Sequence, residues 1–68
     1  MIEQTAGKKP LQILNEADTA RYIGMSRIWL RISRMRGTGP AYIRIGRAIR
    51  YAVSDLDMFL ETHRVRHG

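Results

Sequence analysis

A chain of 68 residues with a formal net charge of +6 has room for one core, since a domain this small buries only about 60% of its unfolded surface. Cysteine is absent, which excludes a disulfide framework and a cysteine-ligated zinc, so apolar packing must hold the fold. No apolar run approaches the ~20 residues of a membrane helix, and the first ten residues are too polar for a secretory signal, so a soluble, cytoplasmic protein is expected, with no membrane partner.

Residues 1–11 have no hydrophobic period and carry Lys8-Lys9-Pro10; they read as a flexible leader before a folded domain over 12–63 and a basic tail over 64–68. Asn15 is placed to cap a first helix whose opening turn holds Glu16 and Asp18, favourable beside the positive helix end. Ala17, Ala20, Tyr22 and Ile23 give that helix its apolar surface, and Gly24 stops it. After the tight link Gly24-Met25, Ser26 caps a second helix over 27–36, terminated by Gly37 with Gly39-Pro40 beyond.

The period then changes from helical to alternating. Tyr42-Ile43-Arg44-Ile45 and Ile49-Arg50-Tyr51 read as two strands, with Gly46-Arg47-Ala48 as the turn between them. A three-residue loop would pair Ile45 with Ile49 and Ile43 with Tyr51, gathering these four on one face and leaving Arg44 opposite Arg50; a two-residue loop would mix Ile and Arg on each face. Like charges directly opposite are unfavourable, so the three-residue register implies that the arginine face meets an anion. Ser54 is then expected to cap a third helix over 55–63, with Asp57 completing an acidic capping box and Leu56, Phe59 and Leu60 forming an apolar stripe. The fold class that results is mainly α with a small β-hairpin, a winged helix-turn-helix.

Charge placement points to the partner. No Asp or Glu occurs between Thr19 and Ser54, whereas that window holds Arg21, Arg27, Arg31, Arg34, Arg36, Arg44, Arg47 and Arg50. A basic middle built from Arg alone suits bidentate contact with phosphate oxygens and guanine edges. Such asymmetry is the electrostatic footprint of a nucleic-acid binder.

Two short helices joined by a Gly-containing turn form the helix-turn-helix unit, whose second helix enters the major groove. Periodicity within 27–36 would bury Ile28, Ile32 and Met35 and turn Leu30 outwards. The helix-turn-helix template requires the reverse, with Leu30 and Ser33 facing the first helix and Arg27, Ile28, Arg31 and Ile32 projecting. The spacing of Ala20, Gly24 and Leu30 favours the template. Ile28 and Ile32 would then lie against thymine methyl groups or meet a neighbouring protein, and Trp29 is expected to bridge to the hairpin as core.

The run Leu14-Asn15-Glu16, Ala20, Tyr22-Ile23-Gly24-Met25-Ser26-Arg27, then 39–51, Ser54-Asp55-Leu56-Asp57 and Phe59-Leu60, resembles the AlpA-like excisionase family over most of the chain. The resemblance implies a winged helix similar to the DNA-binding domains of MerR-type regulators. It also implies a role as a recombination directionality factor, binding beside an attachment sequence of a prophage or other integrated element and favouring excision by a cognate integrase. Groove-reading residues are then expected at Ser26, Arg27, Ile28, Arg31, Ile32 and Arg34, and wing contacts at Arg44, Gly46, Arg47 and Arg50. Family members commonly carry polar residues where Ile28 and Ile32 stand. Cooperative binding of further copies along the DNA is expected of so small a reader.

Two other readings share these features: a transcriptional regulator of mobile-element genes, with the same contacts, and a protein-interaction adaptor using Ile28, Ile32 and the third helix. Enzymatic chemistry and cofactors are not expected. His63 and His67 sit four apart without a third metal ligand, and Ser26, Ser33 and Ser54 have no histidine base in their segments. Gly37-Thr38-Gly39-Pro40 lacks the lysine of a phosphate loop.

Overall fold

The computed structural model describes residues 11–66. Its elements in chain order are β1 (Ile13–Leu14), α1 (Glu16–Ile23), α2 (Arg27–Arg36), β2 (Ile43–Ile45), β3 (Ala48–Ala52) and α3 (Val53–Thr62). Three helices therefore pack with a three-stranded antiparallel sheet of order β1-β3-β2. No helix is long and apolar enough to cross a membrane among the described residues.

The first two helices form where their caps direct. Asn15 Oδ1 accepts from the Asp18 N–H at 2.8 Å, and Ser26 Oγ accepts from the Trp29 N–H at 3.0 Å, each interaction contributing about 1 kcal/mol of helix stability. Gly24 and Gly37 end α1 and α2, their N–H groups returning to carbonyls of the last turn. The Met25 N–H continues this pattern by bonding Ala20 O at 2.9 Å, so α2 leaves α1 after a turn of three residues. Ala20 and Leu30 are buried together at the junction, and a larger residue than alanine at position 20 would push the helices apart.

The helix-turn-helix spacing proves the better guide to α2 than periodicity. Leu30 is fully buried and Ser33 nearly so, whereas Ile28 is 66% exposed and Met35 85%. Beyond the helix, Gly39 passes so close that a Cβ there would lie 2.9 Å from Ser33 Cβ; any side chain would force the β2 approach away from α2.

The core joins Ala20, Leu30, Tyr51 and Leu56, with Leu14, Ile23, Trp29 and Ile49 packed against it. Fully burying each of the large apolar members stabilises the fold by about 1.5–3 kcal/mol. Trp29 packs against this core, and its ring meets Phe59 of α3 edge to face with centroids 6.2 Å apart.

The hairpin corrects the expected register. Ile43 pairs with Arg50, Arg44 with Ile49 and Ile45 with Ala48, which makes Gly46-Arg47 a two-residue turn. The cause is local. Gly46 has φ +61°, the left-handed value that two-residue hairpin turns require at their first position, and Ala48 is thereby drawn into the ladder. Arg44 and Arg50 fall on opposite faces, so the like-charged facing pair does not exist. Ile49 and Tyr51 point to the core on the side shared with Arg44, and Ile45 is left exposed on the outer face.

Two further expectations change. Residues 13–14, without a strand pattern of their own, pair with the end of β3, Ile13 opposite Ala52 and Leu14 opposite Tyr51. The third helix begins at Val53 with Ala52 as its cap residue and no side-chain cap bond, so Ser54 does not cap it. β3 runs straight into α3, the Val53 N–H being satisfied by Gln12 O at 2.9 Å, and Asp57 accepts instead from Tyr22 Oη at 2.5 Å. The leader lies outside the described residues except for Leu11, as do His67 and Gly68 of the tail; Arg64 and Arg66 turn back onto Glu61 at 3.1 and 2.9 Å.

Candidate nucleic-acid interface

An open cleft separates the start of α1, the side of α2 and the hairpin. It is lined by Asn15, Glu16 and Ala17, by Arg27, Arg31 and Arg34, and by 47–50. Five arginines from two elements distant in sequence thus face one depression, Arg27, Arg31 and Arg34 from α2 and Arg47 and Arg50 from β3 and its turn. Positions 27, 31 and 34 recur at helical spacing, and the packing of Leu30 inward aims that row at the cleft.

Glu16 sits among them as the one acid of the lining. Its Oε1 accepts from Arg27 Nε and from Arg31 Nε, both at 3.2 Å, and its Oε2 accepts from Arg34 Nη1 at 3.4 Å and Nη2 at 3.5 Å. One carboxylate therefore faces three guanidiniums, leaving the group with net positive charge. Burial pushes the Glu16 carboxyl up, but hydrogen bonds from Arg27, Arg31 and Arg34 with the charge of Arg31 outweigh it, so it titrates below the ordinary carboxylate range. Its side chain is only 14% exposed, but Arg27 and Arg31 are 56% and 55% exposed, so water screens those two pairs more than the pair with Arg34.

Arg34 differs from its two neighbours. Its side chain is 18% exposed, Nη1 donates to Tyr51 Oη at 2.9 Å, and the guanidinium lies 5.7 Å from the Tyr42 ring centroid, within cation–π reach. Burial pulls its pKa down, but the Tyr51 and Glu16 partners more than compensate and hold it above the ordinary value. The geometry makes Arg34 a brace from the core to Glu16.

The remaining expected site residues are distributed unequally. Ser26 spends its hydroxyl on the α2 cap. Ile28 and Ile32 stand exposed on α2 but outside the cleft lining, on the outward side of the helix. Arg44 and Gly46 are exposed on the hairpin without lining the cleft, and Arg50 donates from Nη1 to Ile49 O at 2.8 Å. Glu16 was absent from the expected site. Its only sequence signal is being an acid at the edge of the arginine-rich window, which the helix-dipole explanation fully absorbs.

Among the described residues no cluster of three His, Cys, Asp or Glu side chains could hold a metal ion. His63 donates from Nδ1 to Phe59 O at 2.8 Å, and its ring lies 4.1 Å from that of Phe59.

No protein-family model and no curated protein matches the chain.

Proposed function

We propose that this protein binds double-stranded DNA as a winged helix-turn-helix, with α2 in the major groove and the β2–β3 hairpin at the flanking minor groove, and serves as an excisionase of an integrated element. The observation that carries DNA binding is the cleft in which arginines of α2 and of the hairpin converge. A duplex presents a row of phosphates, and a net-positive surface contributed by two elements can meet several of them at once. Arg47 at the hairpin turn suits a narrow minor groove, where negative potential is enhanced. The excision role rests on the family resemblance of the sequence, and a cognate integrase and further copies of the chain are the partners it brings with it. Transcriptional regulation would use the same contacts.

Fluorescence anisotropy with a labelled duplex pool, at low and moderate salt, tests the reading. Binding whose logarithmic affinity falls linearly with the logarithm of salt concentration supports it. Absence of binding to any duplex at low salt overturns it. The exposed row Ile28, Ile32 and Met35 favours one rival, an adaptor docking α2 on a protein; that reading requires partner binding that survives high salt.

A further inference from the structure

An acid at the centre of a surface meant for a polyanion needs a reason, because its charge opposes every phosphate that approaches. Glu16 is held from behind: Tyr51, buried in the core, accepts from Arg34, and Arg34 donates to Glu16. From the front, Glu16 holds Arg27 and Arg31, in each case by Nε. A guanidinium has five N–H donors in one plane, one on Nε and four on the terminal nitrogens. Engaging Nε restrains each guanidinium and leaves its terminal edge uncommitted, and among the described residues nothing accepts from the Nη atoms of Arg27 or Arg31. That edge is the fork that matches guanine O6 and N7 in the major groove.

We propose that Glu16 is a specificity-setting residue of the DNA-binding face. It positions Arg27 and Arg31 so that their terminal edges address guanine, and its negative charge penalises binding that relies on phosphates alone. This inference rests on the DNA-binding reading above and names what that face selects: guanine-containing duplex in preference to duplex in general. Holding the arginines before contact also removes part of the rotamer entropy that free side chains lose on binding.

The test uses the full chain and a random duplex pool from which the wild type enriches its preferred sequence. Dissociation constants are measured for that duplex and a scrambled one, at a single salt concentration, for wild type, Glu16→Gln and Arg31→Lys, with thermal melting to establish the folded fraction. Glu16→Gln is expected to bind scrambled duplex at least as tightly as wild type, while the ratio of specific to scrambled affinity falls about tenfold, the loss of one bidentate base contact. Replacing the contacted guanine with 7-deazaguanine, which lacks the N7 acceptor, should weaken wild type far more than Glu16→Gln. Arg31→Lys keeps the charge but loses the fork, and should lower the ratio similarly without depending on the fold tolerating a change at Glu16.

An unchanged ratio in folded Glu16→Gln, equal losses by Glu16→Gln on both duplexes, or the same 7-deazaguanine penalty with and without Glu16 would each overturn the assignment, as would a wild type that binds all duplexes alike. A wild type that binds no duplex instead overturns the DNA-binding reading, and this inference with it.

Discussion

The arginines of α2 and those of the hairpin are the same residue in two different physical states. On α2, Arg27, Arg31 and Arg34 share Glu16, and through Arg34 the set is tied to the core. On the hairpin, Arg44 and Arg47 are exposed and make no ion pair among the described residues. A held guanidinium presents one geometry and discriminates between acceptors; a free one is a mobile charge that reaches whichever phosphate is near, at the cost of its own rotamer entropy. On the proposed function, α2 therefore supplies selectivity and the hairpin supplies affinity that salt weakens.

Removing the brace should produce the largest effect. Arg34→Met leaves buried Tyr51 Oη without its partner and Glu16 with one fewer, and should cost about 1–3 kcal/mol of stability, read as a lower urea midpoint; Arg47→Ala should leave that midpoint unchanged. Equal midpoints for the two variants would erase the distinction between the regions. In DNA binding, Arg31→Ala should cost about 1–3 kcal/mol on the enriched duplex and much less on a scrambled one, whereas Arg47→Ala should weaken both alike and reduce the salt slope by about 1.

The third prediction concerns acid. Glu16 titrates below its unfolded value, so its stabilising effect is complete above the ordinary carboxylate pKa of about 4.3 and is lost as pH falls through the lowered folded value. Glu16→Gln should accordingly be less stable than wild type at neutral pH, with the difference shrinking below pH ~4 in paired urea titrations. A difference independent of pH would mean that the charge of Glu16 contributes nothing to folding. The smallest effect belongs to the outward side of α2. If Ile28 and Ile32 lie on thymine methyl groups, replacing the thymines of the enriched site with deoxyuridine should cost about 0.8 kcal/mol per methyl buried, and Ile28→Ala should abolish part of that penalty.

The parts of the fold that were legible in the sequence are those fixed by nearby residues. Asn15, Ser26, Gly24 and Gly37 bound α1 and α2 because caps act within one turn of the chain. The inward turn of Leu30 was legible only through its spacing from Ala20 and Gly24, since the hydrophobic period of α2 follows Ile28, Ile32 and Met35 on the exposed side. The hairpin existed in the pattern, but its register hung on one residue: with Gly46 in the left-handed region the loop shortens by one, and every side chain of β2 changes its facing partner. β1 is two residues long and exists only through pairing with the far end of β3, a contact no local pattern announces. Likewise Ala52 outcompetes Ser54 as the start of α3 because the strand feeds directly into the helix and Gln12 O satisfies Val53. At the candidate site the arginines were legible as charge, but their grouping around Glu16 depends on how α1 crosses α2.

Backbone amide shifts in a ¹⁵N-labelled chain, followed as the enriched duplex is added, test most directly whether α2 and the hairpin together form the DNA-binding face. Perturbations concentrated at Arg27 to Ile32 and at Gly46 and Arg47, with the outer side of α3 around Met58 and Glu61 silent, are the expected result. Shifts confined to α3, or to the hairpin without α2, would contradict it.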